Sequence, residues 1–356
     1  MAVLPCCPHD LSVCPRPSPP PRRGSVVRGH LGRHKTHTTT TPTPSGRRSV
    51  MSGPDRSRRQ RGPTMTNRLN DNETLHLAVP KGRTESGVIA LLADAGIRLR
   101  SGPRGYRPVS SVPGFEVKLL KPQNIVEMLA AGSRDVGFAG ADWVAEKSAD
   151  LVELLDTRLD PVRVVAAAPE SLLEDGELPL RPLVVASELE RLTTRWIQAR
   201  RLEATLVHSY GATEVFPPED ADVIVDITAT GETLAANGLV VVDELMTSST
   251  RLYASRRALE TPGKKAAIDA LVLSLRSVLE ARGRAMVELN VAEEDIEAII
   301  EILPCMREPT IATLHGGAGF SVKAAVPRSE LPGLMPLLKE RGASDIAVSS
   351  LEQIIP

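Results

Sequence analysis

Short apolar runs alternate with helical patterns from Thr74 onward, and this alternation predicts the first part of the fold. The run "LHLAVP" at 75–80 is apolar except for His76, as in a buried strand, and "RTESGVIALLADAGI" places Ala and Leu at helical spacing. A strand "EVKLL", a helix "KPQNIVEMLAAG" closed by Gly132, a strand "DVGFAG" and a helix from Asp142 follow. Strands and helices that alternate in this way favour βαβ units on a mostly parallel sheet.

A second series of the same kind begins near Val162. Its predicted elements are "VRVVAAAP", "LVVAS", the helix "ELERLTTRWIQARR", "ATLVHS" and "ADVIVDI". A loop "ITATG" and a helix "ETLAANG" come next, and the strands "LVVVDELM" and "STRLYAS" then return towards the first sheet. Two lobes joined by crossing strands predict a cleft between them, and open α/β sheets bind ligands at the carboxyl ends of their strands.

The pattern changes after residue 260. The segment "GKKAAIDALVLSLRSVLEARGRAMVELN" predicts one long connecting helix. The segments after it are "EEDIEAIIEIL", "TIATLHGG", "FSVKAAVP", "ELPGLMPLLKERG" and "SDIAVSSLEQII". Their βαββαβ rhythm predicts a small ferredoxin-like α+β module with an antiparallel sheet.

Composition separates residues 1–70 from the rest of the 356-residue chain. These residues hold 13 Lys and Arg against only Asp10 and Asp55, together with 11 prolines. A segment with so little periodic apolar character cannot bury enough surface to offset its chain entropy, so we expect it to be disordered. A transit peptide, a nucleic-acid-binding arm and an extension upstream of a start at Met65 all remain open as interpretations.

Cysteine usage and hydropathy exclude several classes of protein. Cys6, Cys7 and Cys14 lie in the basic tail and Cys305 stands alone, so no disulfide framework and no paired metal-binding cysteines are predicted. No window approaches 18 consecutive apolar residues, and "MAVLPCCP" lacks the features of a secretory signal. We therefore expect a cytoplasmic protein without a membrane span.

The stretch "ADVIVDITATGETLAANG" at 221–238 carries the clearest chemistry. Its strand would deliver Asp226 at its carboxyl end, and the turn of 228–233 would open a helix with free backbone amides. Such amides bind phosphate, and a neighbouring carboxylate accepts bonds from two vicinal hydroxyls or holds Mg²⁺ beside pyrophosphate. The alternative is an ordinary capped helix in which Thr230 satisfies the amides and Gly231 serves the turn. A Walker A sequence and a GxGxxG after a strand are both absent.

This stretch resembles the phosphoribosyl-pyrophosphate loop of the ATP phosphoribosyltransferase family, whose approximate pattern is D-[IV]-x-x-[ST]-G-x-T-L-x-x-N-x-L. Further segments agree with that family in order along the chain: "LAVPKGR", "KPQNI", "DVGFAGAD", "YGATEV", "REPTIATL" and "LKERGASDIAVSSLEQIIP". The resemblance runs from about Leu75 to Pro356 and is to the long form of the family. Residues 1–70 have no counterpart in it.

The resemblance implies an α/β fold with a two-lobed catalytic core like that of periplasmic binding proteins and a small ferredoxin-like, ACT-like domain. The implied divisions are an extension at 1–70, catalytic lobe I at 71–165 with return strands at 240–260, lobe II at 166–239, a connecting helix at 261–288 and a regulatory domain at 289–356.

The resemblance also assigns roles to individual residues. Asp226, Lys81 and Glu214 would be catalytic, with Asp226 and Glu214 also holding the metal. The expected substrate contacts are Thr228, Ala229, Thr230, Gly231 and Thr233 for the 5-phosphate, with Asp142, Lys121 and Arg104 elsewhere in the cleft; Thr310 would contact the effector. For Glu214, Lys81 and Asp142 the alternatives are a helix-start acid, a solvated lysine and a helix N-cap. For Arg104 the alternative is a solvated arginine in a Gly/Pro loop.

Two segments depart from the family pattern. The usual arginine and aspartate of "LRPQDI" are Lys121 and Asn124 here, so a bidentate phosphate contact becomes a point-charge contact. The usual "RIAT-YP" segment reads "LVVASELERL", which puts contacts from that strand and loop in doubt. Isolated histidines such as His208 and His315 are given no catalytic role.

The implied activity is a glycosyltransferase reaction, the first step of histidine biosynthesis. The phosphoribosyl group of phosphoribosyl pyrophosphate would move to N1 of ATP with Mg²⁺ as cofactor, and histidine would act as an allosteric inhibitor. The family implies a homo-oligomer, from dimer to hexamer, with no nucleic-acid or membrane partner.

Two other functions share features with this one. A solute-binding module has the same two-lobed architecture, since fold does not fix function. A phosphoribosyltransferase for another base would use the same sugar-phosphate loop.

Overall fold

The computed structural model describes residues 74–100 and 105–355, which form one large sheet flanked by helices and a second, smaller sheet. The predictions for residues 1–70 and for Arg104 lie outside the described residues.

The large sheet has ten strands. In chain order they are β1 (Leu75–Pro80), β2 (Leu99–Arg100), β3 (Val109–Ser110), β4 (Phe115–Leu120), β5 (Val136–Gly140), β6 (Val152–Pro169), β7 (Leu183–Ser187), β8 (Ala204–His208), β9 (Val223–Thr228) and β10 (Leu239–Ala254). Their order across the sheet is β2-β3-β4-β1-β5-β10-β6-β9-β7-β8.

Seven α-helices accompany these strands within the described residues. They are α1 (Glu85–Asp94), α2 (Pro122–Ala130), α3 (Ala141–Lys147), α4 (Glu190–Arg200), α5 (Glu232–Ala236), α6 (Arg256–Glu260) and α7 (Pro262–Arg282). Short 3-10 turns lie at Glu170–Leu172 and Thr213–Val215.

Two long antiparallel strands join the lobes. β6 and β10, of 18 and 16 residues, pair with each other at the centre of the sheet. On one side β10 pairs with β5, next to the parallel strands β1 and β4; on the other side β6 pairs with β9, next to the parallel strands β7 and β8. The sheet is therefore mixed, and each parallel half ends its strands towards the same cleft.

Apolar helix faces cover the sheet. One core cluster packs α1 and α7 against β1, β4 and β5, with Leu91 and Leu275 fully buried. A second packs α2 and α4 near β6, β7 and β9, with Ile125 fully buried and Trp196 nearly so. Burying apolar surface from helices on a sheet is the main stabilising contribution in such folds.

The smaller sheet contains four antiparallel strands and two further helices. They are β11 (Arg284–Val291), α8 (Ile296–Ile300), β12 (Thr310–Thr313), β13 (Phe320–Pro327), α9 (Leu331–Glu340) and β14 (Ser344–Ser350), with 3-10 turns at Glu293–Asp295, His315–Gly317 and Arg328–Glu330. The strand order is β12-β13-β11-β14. This βαββαβ module has its own core, which includes Val287, Val326 and Leu338.

The connecting helix is shorter than the sequence predicted. A helix was expected over 261–288, but α7 ends at Arg282 and residues 284–291 form β11. Gly283 follows the last helical turn, and burial then alternates strictly along β11, with Val287, Leu289 and Val291 in the module core. The short apolar run fits helical and strand periods alike, and tertiary pairing with β13 and β14 decides between them.

Across residues 74–100 and 105–355, no helix is both long enough and apolar enough to cross a bilayer.

Close packing around Gly137 gives a test of the sheet that positions the site. A Cβ added there would lie 2.9 Å from Ile125 Cγ2 and 3.0 Å from Ala78 Cβ. We expect Gly137→Ala to lower the free energy of unfolding by about 1–3 kcal/mol, because the core would be overpacked. Gly333→Ala in α9 is the matched control, since nothing lies within 4 Å of its added Cβ, and it should raise that energy by about 0.5–1 kcal/mol. Urea titrations measure both; equal effects would contradict this packing.

Candidate functional site

Two adjoining pockets lie where strands of both lobes end. The phosphate-loop pocket, about 250 Å³, is lined by Arg83, Glu214, Asp226, Ile227, Thr228, Ala229, Thr230, Glu232, Thr233 and Leu234. The inner pocket, about 140 Å³, is lined by Pro80, Lys81, Arg83, Thr84, Pro122, Ala139, Gly140, Asp142, Trp143, Asp160, Val162, Ile227, Ser248, Ser249 and Thr250. Arg83 and Ile227 line both pockets, so the two pockets are direct neighbours.

Asp226 lies near the carboxyl end of β9, as the sequence predicted, and its environment disfavours a negative charge. Burial, together with the charges of Glu214 and Glu188, raises its pKa to about 6, although the Ile227 amide opposes this by donating to Asp226 Oδ1 at 2.6 Å. A half-buried carboxylate beside two other acids is stabilised by any cation that enters the pocket.

Two threonine hydroxyls in the loop after Asp226 accept hydrogen bonds from backbone amides of the same loop. The Gly231 amide donates to Thr228 Oγ1 at 3.0 Å, and the Glu232 amide donates to Thr230 Oγ1 at 3.3 Å. Gly231 has φ of 85°, a left-handed conformation that residues with a side chain adopt only with strain. The phosphate loop and the ordinary capped helix are both compatible with these bonds, because amides at such a helix start are capped by threonine oxygens here and are also the donors that bind phosphate.

The helix that follows is shorter than predicted. α5 spans five residues, Glu232–Ala236, whereas the pattern "GETLAANG" predicted a helix through 238. A helix this short contributes little macrodipole, so the amides and hydroxyls of the loop are the main donors of the pocket.

Asp142 is buried in the inner pocket and held by a hydroxyl. The Ser248 hydroxyl donates to Asp142 Oδ1 at 2.7 Å and accepts from the Asp142 amide at 3.1 Å. Burial raises the pKa of this carboxyl, while the Ser248 bond and the charge of Arg83 oppose the rise. The alternative of an N-cap is wrong, because Gly140 caps α3 and Asp142 lies inside its first turn.

Lys81 stands directly after β1 on the rim of the inner pocket. Its Nζ atom lies 4.0 Å from the centroid of the exposed Tyr106 ring. The hydrogen bond and charge of Lys81 lower the pKa of the Tyr106 hydroxyl. This cation–π contact holds the ammonium at the rim of the inner pocket.

Arg83 was not singled out from the sequence. It closes the "PKGR" turn, two residues beyond Lys81, and it is the residue with a charged side chain that borders both pockets. Its charge also reaches the Asp142 carboxyl. The signal was its position just past the carboxyl end of a parallel strand, where cleft ligands bind.

A contact between the lobes was also missed. Gln123 Nε2 in α2 donates to Glu188 Oε1, just after β7, at 3.1 Å, and Glu188 in turn raises the pKa of Asp226. Glu188 lies in "LVVASELERL", the segment that departs from the family pattern, so no motif pointed to it.

Of the remaining predicted site residues, Glu214 lies in the cleft, whereas Lys121 and Thr310 line neither of its two pockets. Glu214 lines the phosphate-loop pocket from the 3-10 turn Thr213–Val215, which also fits its alternative as a helix-start acid. Lys121 is exposed at the N-cap of α2 and lines neither pocket, although its neighbour Pro122 lines the inner one. Thr310 lies in the βαββαβ module and lines a separate cavity of about 290 Å³.

The acids of the pocket suit a partial magnesium site. Within the described ranges no group of three or more His, Cys, Asp or Glu side chains is arranged to hold a metal ion. Mg²⁺, however, is usually bound through one or two carboxylates plus substrate phosphates and water. Asp226 and Glu214, whose negative charges oppose each other, match that donor set.

Comparison with known proteins identifies relatives over nearly all of the described chain. A family model described as HisG, ATP phosphoribosyltransferase, matches residues 121–277, and one described as the HisG C-terminal domain matches residues 281–353. The ATP phosphoribosyltransferase of Chlorobium luteolum is 33% identical over 291 residues, which are 80% of this chain and 99% of that protein. That of Pelotomaculum thermopropionicum is 33% identical over 287 residues, 79% of this chain and 99% of its own length.

One solved structure shares the fold of the two-lobed core. The chain from the ATP phosphoribosyl transferase (HisG:HisZ) complex of Thermotoga maritima aligns with a TM-score of 0.53 and 25% identity, covering 58% of this chain and 99% of that one. The predicted family resemblance and the predicted α/β two-lobed core are thereby confirmed.

Proposed function

We propose, from the premise that this chain belongs to the ATP phosphoribosyltransferase family, that it joins N1 of ATP to the anomeric carbon of phosphoribosyl pyrophosphate and releases pyrophosphate. It is an enzyme of the family that begins histidine biosynthesis. The observation that carries the specific reaction is the phosphate-loop pocket, in which a carboxylate at the end of β9 adjoins a turn rich in amides and hydroxyls.

The sugar phosphate binds in the phosphate-loop pocket. Loop amides and threonine hydroxyls at 228–233 receive the 5-phosphate, replacing the internal acceptors Thr228 Oγ1 and Thr230 Oγ1. The Asp226 carboxylate then accepts hydrogen bonds from the two ribose hydroxyls, which fixes the ring. Fixing both ends of the ring orients the anomeric carbon towards the inner pocket.

The pyrophosphate leaves past Arg83, which borders both pockets, and Lys81 on the rim of the inner pocket. Lys81 and Arg83 neutralise the charge that grows on the leaving oxygen as the bond to the anomeric carbon breaks. Mg²⁺ held by Asp226 and Glu214 would supply further charge neutralisation of the pyrophosphate. No nucleophilic side chain is needed, because the adenine nitrogen itself attacks.

ATP approaches from the inner pocket. Its adenine meets a wall that includes Trp143 and the buried Asp142–Ser248 pair. The N1 lone pair then forms the new bond from the face opposite the leaving pyrophosphate, giving inversion. The enzyme accelerates this step by orienting two polyanions and stabilising the separated charge.

Product formation tests the reaction. Purified protein mixed with ATP, phosphoribosyl pyrophosphate and Mg²⁺ should form phosphoribosyl-ATP and an equal amount of pyrophosphate. Adenine or orotate in place of ATP should release none; release with either base would instead indicate a phosphoribosyltransferase for that base. Binding of a substrate without any pyrophosphate release would indicate a solute-binding module.

The pKa of Asp226 predicts an acid limb in the pH profile. Its pKa of about 6 in the free enzyme means that the ionised form, which accepts the ribose hydroxyls, is lost as the pH falls through that value. We expect kcat/KM for phosphoribosyl pyrophosphate to fall about tenfold per pH unit below about 6. The corresponding fall in kcat should occur at a lower pH, because bound Mg²⁺ and substrate favour the ionised carboxylate. A kcat/KM that stays flat to pH 5 would contradict this role for Asp226.

Histidine is proposed to act in the cavity of the βαββαβ module. That cavity offers the hydroxyl of Thr310 together with the charged Glu308 and Lys323, which suit the amino and carboxylate groups of a free amino acid. Histidine bound there would change activity by favouring one assembly state of a dimer-to-hexamer equilibrium.

A substitution at the mouth of this cavity tests the effector site. Thr310→Ala should raise the histidine concentration for half-maximal inhibition by about tenfold, which corresponds to one lost hydrogen bond to a charged ligand. Thr313→Ala, an exposed change on the same strand outside the cavity, is the control. Identical inhibition curves for the two variants would place the effector elsewhere.

A further inference from the structure

A fourth cavity lies where the catalytic sheet meets the βαββαβ module, and it shares no lining residue with either pocket of the cleft. Its volume is about 510 Å³, and its lining residues are Leu155, Asp156, Thr157, Arg158, Leu159, Arg276, Leu279, Glu280, Arg282, Gly283, Arg284 and Pro327. They come from β6, from the last turns of α7, from the start of the module at Arg284 and from Pro327 at the end of β13. The cavity is thus walled by all three parts of the chain that meet at this junction.

Positive charge dominates the wall. Four arginines line the cavity against two acids, and both acids are already engaged within the protein. Asp156 Oδ1 accepts from the Arg158 amide at 2.8 Å and from the Ser249 hydroxyl at 2.7 Å. Glu280 Oε2 lies 3.8 Å from Arg284 Nε. The acids therefore leave a net positive cavity.

Two of the four guanidinium groups are unpaired. Arg282 Nη2 contacts Asp94 Oδ2 at 2.6 Å, and Arg284 contacts Glu280 as described. No carboxylate of the described residues lies within 4.0 Å of Arg158 or Arg276, and both side chains are exposed to the cavity. Guanidinium groups carry planar donor pairs that match the oxygens of a phosphate.

The backbone holds one of these arginines in an uncommon conformation. Arg158 has φ of 56°, in the left-handed region, and the turn is fixed by the Asp156 carboxylate and by Thr157 Oγ1, which accepts from the Leu159 amide at 3.3 Å. Strained residues of this kind persist where the surroundings over-determine them and often mark ligand sites.

The C-terminal end of α7 accounts for only some of the arginines that line this cavity. Basic residues in the last turn of a helix complement its partial negative charge, which accounts for Arg282 at the end of α7. It does not account for Arg158, which belongs to β6. The two unpaired arginines line the same cavity from different elements, β6 and α7.

We propose that this cavity binds a small phosphate-bearing metabolite with at least two negative charges, held between Arg158 and Arg276. Its walls belong to both the catalytic sheet and the βαββαβ module, so an occupant stabilises the junction between them. This site is separate from the phosphate loop and does not depend on the reaction proposed above.

Tungstate, a heavy tetrahedral dianion, is the crystallographic probe. In crystals of the full chain soaked with tungstate, we expect anomalous density within hydrogen-bond distance of Arg158 and Arg276. Crystals of the double variant Arg158→Gln/Arg276→Gln should lose that density. Absence of density at these arginines in the unaltered protein would overturn the proposal.

Thermal unfolding in inorganic phosphate, at constant ionic strength, tests the site in solution. Phosphate should raise the Tm of the unaltered protein and of Arg341→Gln, a control that removes an exposed charge at the end of α9. The double variant should lose at least about half of that rise, the remainder coming from the phosphate loop. An undiminished rise in the double variant, or an equal rise with acetate in the unaltered protein, would refute a phosphate site here.

Discussion

Asp226→Asn is expected to lower kcat/KM for phosphoribosyl pyrophosphate by about 10²–10³-fold, the size of effect seen when one preorganised electrostatic contact is removed from an active site. The amide keeps the shape of the carboxylate but cannot accept from both ribose hydroxyls, and it weakens the pair of acids available to Mg²⁺. The variant should fold normally, because burial in the native protein already disfavours the charge of Asp226. Steady-state pyrophosphate release measures the effect.

The matched control for this variant is Asp220→Asn. Asp220 is an exposed acid six residues earlier, outside both pockets. Its replacement changes the net charge equally and should leave kcat/KM within about twofold, as surface changes away from a site do. Near-normal activity of Asp226→Asn would remove that carboxylate from the mechanism.

Arg83→Gln is expected to lower kcat/KM by about 10²-fold for both substrates, because this guanidinium borders both pockets. A residue that served only one substrate would change one KM and leave the other unchanged. Arg83→Lys should recover part of the loss, since it restores the charge but not the planar pair of donors. Initial rates with each substrate varied in turn provide the four parameters.

Arg98→Gln supplies the reference for Arg83→Gln. Arg98 is exposed in the same lobe and lines neither pocket. A loss of activity equal to that of Arg83→Gln would show that general surface charge, rather than contact in the cleft, attracts the two polyanions.

The hydrophobic pattern of a short segment was sufficient to predict strands that are buried in the parallel part of the sheet. The mostly apolar run at 75–80 predicted β1 with its observed bounds, and "DVGFAG" predicted β5 within one residue. Both strands lie in the parallel half of the sheet and are covered on both faces, so burial leaves little choice of conformation. The placement of Asp226 near the end of β9 followed from the same reasoning.

Contacts between segments that are distant in sequence determined the features that the sequence analysis missed. Helix α7 ends before Gly283, and the segment "RAMVELN" forms a strand because it pairs with β13 and β14. The hydrophobic pattern of the segment alone does not show that these partner strands are available. Arg83 and Glu188 were missed because their neighbours in space are far away along the chain: Asp226 follows more than a hundred residues after Arg83. The general rule that strand carboxyl ends converge at a cleft would have pointed to both residues.

The structure of the protein with bound phosphoribosyl pyrophosphate and Mg²⁺ tests the central assignment most directly. We predict the 5-phosphate about 3 Å from the amides of the loop at 228–233, and both ribose hydroxyls within hydrogen-bond distance of Asp226. A sugar phosphate bound in another cleft, with this pocket left to solvent at saturating ligand, would contradict the assignment.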